Sequence, residues 1–139
     1  MRLTLLTLLV LSTTFLLCCS NEDSSKLLIG KWAFLKFYTE SETTKEMDAE
    51  LESYNSLNKG LTIRFSPQGE YESDQPGGDE GNNKISDYKL LPGNKLVIED
   101  DTIQIVNVDQ SFLTLYKDES SPNVMFRRVN NTGTEPGRR

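Results

Sequence analysis

The sequence predicts an all-β protein: an antiparallel up-and-down barrel of about eight strands, with one helix between the first and second strands. Three observations carry this reading. Short segments rich in branched and aromatic residues recur from residue 27 to residue 129. Pro, Gly, Asn and Asp separate most of them at hairpin distance. One stretch breaks the series with a helical rather than an alternating period. Consecutive hairpins make a meander, and closing a meander removes the unpaired edges that an open sheet would expose. A two-sheet sandwich is the alternative arrangement of the same strands.

The first strand is read over 27–38, where Leu27, Leu28, Ile29, Trp32, Phe34, Leu35, Phe37 and Tyr38 dominate. Gly30 inside it marks a bend or a close approach of backbone. The helix follows over 43–58. Thr43 and Glu46 have capping-box spacing, and Met47, Leu51, Tyr54 and Leu57 recur at helical intervals. Lys59-Gly60 supplies the stop. The apolar stripe is expected to be a packing face.

From 61 to 66 the chain alternates, so Leu61, Ile63 and Phe65 share a face. Ser66-Pro67-Gln68-Gly69 is a tight turn into a partner strand over 70–73. A loop over 74–83 holds Pro76, Gly77, Gly78 and Gly81. Strands are then read at 85–91, 95–99, 102–108, 111–117 and 123–129. Pro92-Gly93-Asn94, Asp100-Asp101, Asp109-Gln110 and the loop 118–122 connect them. The tail 130–139 is polar, with Gly and Pro, and is expected to be disordered.

The N-terminus carries an address. Met1-Arg2 precedes an apolar run from Leu3 to Leu17, the pattern of an export signal and too short to span a bilayer comfortably. Its end, Leu16-Leu17-Cys18-Cys19-Ser20, resembles the lipobox of bacterial lipoproteins, in which a Cys is acylated and the chain is cut just before it. The pocket of the cutting peptidase takes a small side chain. Cys19 as the target places Cys18 there, whereas Cys18 as the target would place Leu17 there. The resemblance thus implies a signal peptide over 1–18, acyl chains of palmitate type on Cys19, and a chain held to a membrane without a spanning helix. Multiple acyl chains make such attachment lasting. Residues 19–26 read as an acidic tether ahead of a barrel domain over 27–129. The acidic cluster is either a solvated linker or similar to the surface-export signal of Bacteroidetes-type lipoproteins. The implied location is the cell envelope, lipid-anchored to the outer membrane, on its inner or its outward surface.

The composition bounds the chemistry. The chain has 15 basic and 21 acidic residues, two Cys and no His, with a formal charge of −6. A nucleic-acid partner would need a basic face, and none is present in the sequence. With Cys18 cleaved off and Cys19 acylated, the domain would keep no thiol, and it has no imidazole. The pairs Asp79-Glu80 and Asp100-Asp101 fall in turns and read as solvated carboxylates, without the spacing of a calcium loop. Asn130-Asn131-Thr132 fits a glycosylation acceptor in form only. No catalytic residue, cofactor or metal is therefore expected.

Gly30-Lys31-Trp32 resembles the Gly-x-Trp signature of the lipocalins. The stretches 61–71, 88–96 and 113–116, with the ending Phe126-Arg127-Arg128-Val129, are similar to lipocalin-like domains of Bacteroidetes lipoproteins, and the likeness covers 27–129. It implies a calycin-like barrel in which Trp32 sits at the closed end under an arginine from the last strand. Arg128 is chosen because it shares alternation phase with Phe126, with Arg127 in reserve. It also implies a binding role for a small apolar ligand, with Phe34, Ile63, Phe65, Tyr71, Leu96, Ile98, Leu113, Leu115 and Phe126 as candidate lining. The other reading is a filled barrel that docks on or inhibits an envelope protein through the helix or the glycine-rich loop. The strands are shorter than in classical lipocalins, and the helix comes early.

Overall fold

The computed structural model describes residues 21–76 and 84–130. The signal segment, Cys19, the glycine-rich part of the loop with Asp79-Glu80, and the tail beyond Asn130 lie outside the described residues. The elements are α1 (Asn21–Leu28), β1 (Gly30–Tyr38), α2 (Lys45–Leu57), β2 (Thr62–Phe65), β3 (Glu70–Asp74), β4 (Lys84–Leu91), β5 (Lys95–Ile98), β6 (Asp101–Val108), β7 (Phe112–Tyr116) and β8 (Asn123–Arg128).

Every strand pairs antiparallel with the next, and β8 returns to pair with β1, so the sheet is a closed barrel. The Gly30 end of β1 opposes the Arg128 end of β8, and the Tyr38 end opposes Asn123. One end of the barrel, here the floor, therefore gathers Trp32, the β2–β3 turn, the β4–β5 turn and the β6–β7 turn. The other end, the mouth, gathers α2, the β5–β6 turn and the 117–122 loop.

The bore is filled. Trp32, Ile63, Phe65, Leu96, Ile105, Leu113, Leu115 and Phe126 are buried, and Leu28 joins them from α1. They arise from the period-2 pattern, which turns alternate residues of each strand inward. Two bulges reset that pattern. Between Phe34 and Lys36 the register of β1 against β8 shifts, so Phe37 and not Lys36 turns inward. Between Ile105 and Asn107 the same happens on β6, and Val108 joins the core in place of Asn107.

Three expectations need correction. The segment 21–26 is not an aperiodic tether but most of α1, which also takes Leu27 and Leu28 from the first strand. That helix is held by tertiary contacts that local sequence does not announce. The helix cap is Thr44, whose side chain accepts from the Met47 N–H, while Thr43 donates to Asp48. Asp101 belongs to β6 and not to the turn before it, where Glu99 takes a positive φ of 56°.

Candidate ligand pocket and barrel floor

The floor is built around Trp32, which is fully buried. Its indole N–H donates to the Leu28 carbonyl at 2.9 Å. The Arg128 guanidinium carbon lies 4.1 Å from the centre of the indole ring, a cation–π contact worth about 0.5–2 kcal/mol. Arg128 also donates to the carbonyls of Ile29, at 3.0 Å, and Leu27. These carbonyls are the orphaned acceptors of the α1 C-terminus. Trp32 and Arg128 thus act as its cap and fix the helix to the barrel. Gly30 makes room for the arginine: it has φ +137°, and a Cβ there would stand 2.7 Å from Arg128 Nη1. Arg127, one position away, pairs across from Phe112 and is exposed.

At the mouth the construction is looser. α2 has no buried residue. Asn55 clips it to β1, accepting from the Phe37 N–H at 2.5 Å and donating to the Phe37 carbonyl at 3.3 Å. The clip works because the bonding of β1 to the β2 segment ends at Phe34, whose N–H donates to the Leu61 carbonyl at 2.8 Å. Beyond that point the side-chain amide of Asn55 takes the bonds a neighbouring strand would have made. A file of rings links core to helix: Phe126 to Phe34 at 6.1 Å, Phe34 to Phe37 at 5.1 Å, and Phe37 to Tyr54 at 6.3 Å.

Between α2 and the mouth lies a cavity of about 600 Å³. Phe37, Met47, Leu51, Tyr54, Ile103 and Val124 give it apolar walls, and Leu115 closes the bottom where the packed bore begins. Its polar rim includes Glu50, Lys117, Glu119 and Ser120. Lys117 is engaged by Asp101 at 3.0 Å. The rim turn is held by Asp118, whose carboxylate accepts from the Ser120 N–H, the Ser120 hydroxyl and the Ser121 hydroxyl. Those bonds, led by the Ser120 hydroxyl, hold the Asp118 carboxyl below its ordinary range. Glu99 is likewise lowered, first by the Ser86 hydroxyl and then by Lys84. Burial pushes Tyr71 and Tyr88 upward, so both stay neutral phenols at neutral pH.

Of the nine residues expected to line a ligand site, Leu115 alone touches this cavity. Ile63, Phe65, Leu96, Leu113 and Phe126 are core, and Phe34, Tyr71 and Ile98 pack against that core. Large side chains on all sides fill a bore of this size. The space is displaced upward, under the helix. Met47, Leu51 and Tyr54 carried a signal in their helical spacing, but the spacing alone says packing face. Phe37 was concealed by the bulge. Among the described residues, no cluster of three or more acidic, Cys or His side chains is placed to hold a metal ion.

Fold and site together define a closed eight-stranded antiparallel barrel with a helical plug at one end and a helix-covered pocket at the other. No family model matches the chain, and no curated protein matches it. Among solved structures, the 1.00 Å crystal structure of a DUF4847 family protein from Bacteroides vulgatus ATCC 8482 is similar. The TM-score is 0.54 with 12% identity, covering 76% of this chain and 96% of that one. At that identity the likeness is one of fold.

Proposed function

We propose that this protein is a non-catalytic, lipocalin-like binding module, tethered to the cell envelope through acylated Cys19, that takes a small and mainly apolar ligand at its mouth. The observation that carries the binding role is the cavity of about 600 Å³ with apolar walls above a filled bore. That volume lies in the usual range for small-molecule sites, which pair apolar walls with a few polar groups. The polar rim suits a ligand with one hydrophilic end facing water. A long chain threaded lengthwise through the barrel does not suit it, because Leu115 and Phe126 close the way down. The absence of His from the sequence and the lack of any Cys beyond residue 19 support a binding rather than a catalytic role. The tether rests on the lipobox-like 16–20 segment.

Titration with an uncharged dye that fluoresces in apolar surroundings, such as N-phenyl-1-naphthylamine, tests the pocket. One saturable site is expected, and Leu51→Arg should remove it while the circular-dichroism spectrum stays that of a β-protein. Signal that rises without saturation, or that is indifferent to Leu51→Arg, would overturn the reading.

A protein partner is the second reading, and the apolar exposure of α2 favours it: Met47, Tyr54 and Leu57 are 45, 46 and 69% exposed. Under that reading, Leu57→Glu would abolish capture of an envelope protein and leave dye binding intact.

A further inference from the structure

We infer that the floor of the barrel is a lipid-docking face, on which the anchored protein sits against an anionic bilayer with its mouth pocket turned away. This rests on the anchor reading of Cys19. The first argument is the length of free chain. α1 starts at Asn21, two residues after Cys19. Two residues reach at most about 7 Å. At its other end the helix is fastened to the floor, by Trp32 to the Leu28 carbonyl and by Arg128 to the carbonyls of Leu27 and Ile29. An acylated sulfur at residue 19 therefore draws the floor, and not the mouth, to the membrane.

The second argument is charge. Lys26, Lys31, Lys95 and Arg127 stand exposed around the floor, with Phe112 and Leu91 exposed beside them. Cations interleaved with apolar side chains match an anionic headgroup layer over hydrocarbon. Glu70 and Asp109 are also exposed there, and the α1 sequence carries Glu22 and Asp23 beside the anchor. Asp109 accepts from the N–H groups of Ser111 and Phe112 and keeps its negative charge, so among the described side chains the floor's cations outnumber its exposed acids without cancelling them. The mouth has a different balance: Glu50, Glu99, Asp100, Asp101, Asp118 and Glu119 surround it, all exposed, and of these Glu99 is paired with Lys84 and Asp101 with Lys117, so acids outnumber bases there. An anionic surface therefore favours the first end over the second.

The consequence is that the pocket opens to the aqueous side, so its ligand is a solute and not a lipid of the anchoring leaflet. The full chain, purified with its native processing and reconstituted in phosphatidylethanolamine–phosphatidylglycerol vesicles containing spin-labelled lipid, tests this. One fluorophore goes on Gln110→Cys in the floor turn β6–β7 and, in a second protein, on Glu119→Cys at the mouth. Lipid quenching should be several times stronger at the floor, and Lys31→Glu with Arg127→Glu should narrow the difference. Equal quenching, stronger quenching at the mouth, or a difference untouched by the charge reversals would overturn the docking face. Mass spectrometry of the same material separates the two readings. Unmodified Cys19 removes the anchor and this inference together, whereas acylated Cys19 with equal quenching removes the inference alone.

Discussion

Floor and mouth are made from the same eight strands, yet they are held in opposite ways. At the floor a helix of eight residues is stitched down by an indole N–H, two guanidinium bonds and a cation–π contact, and Leu28 is 1% exposed. At the mouth a longer helix of 13 residues buries no side chain and is retained by one asparagine and the edge of a tyrosine. Helix length does not decide how firmly a helix is attached. Burial and the satisfaction of backbone groups do. The firm end is the packed one, and the loose end encloses the cavity above the bore. Local opening is expected where buried apolar contacts are few.

The sharpest way to break this contrast is Trp32→Ala. It removes the filled floor and the ring that Arg128 covers together, and should cost about 3–5 kcal/mol in urea unfolding, as large core aromatics do. A loss below about 1 kcal/mol would mean that the floor is not the stable end. Asn55→Ala should cost less, about 0.5–1.5 kcal/mol for its pair of hydrogen bonds. Its distinguishing effect is local: hydrogen exchange should speed up in α2 while the amides of β7 and β8 keep their protection. A uniform acceleration would mean that α2 is part of the cooperative core.

The smallest effect is electrostatic. Asp109 accepts first from the Phe112 N–H, then from that of Ser111 and from the Asn107 side chain, and its carboxyl is held below the ordinary 3.8. The unfolded chain therefore takes up this proton before the folded one does as pH falls. The stabilisation is complete above the ordinary value and disappears as pH drops through the lower folded value. Asp109→Asn should flatten the acid side of the melting-temperature profile at the floor turn, with little change at neutral pH. Asp118 and Glu99 are shifted in the same direction at the mouth, so some slope should persist in the variant.

Most of the architecture could be read from the chain because it is local. Alternation at Leu61, Ile63 and Phe65, the turn at Pro67-Gln68-Gly69, and the spacing of Met47, Leu51 and Tyr54 each specify an element without reference to distant residues. The number and order of the strands follow, and so does closure. α1 could not be read this way. Asn21 to Lys26 has no apolar stripe, and the helix depends on Arg128, 101 positions from Leu27 in the chain. The bulges were also silent. A single extra residue at Leu35 or Val106 reverses which face follows it, and no residue type marks the place. The pocket was missed for a related reason. It belongs to no element, being the gap that remains when an amphipathic helix rests on rings that the bulge in β1 turned toward it.

The seam between β1 and β8 has a bearing on how the protein is made. The ring closes only when Asn123–Arg128 meets the first strand, so Arg128 cannot cover Trp32 until the chain through residue 128 is available. A nascent chain that stops short presents two bare sheet edges and an open floor, the state most exposed to mispairing. Completion is thus registered by the last strand: the same side chain that caps the plug also reports that the C-terminal end of the barrel has arrived.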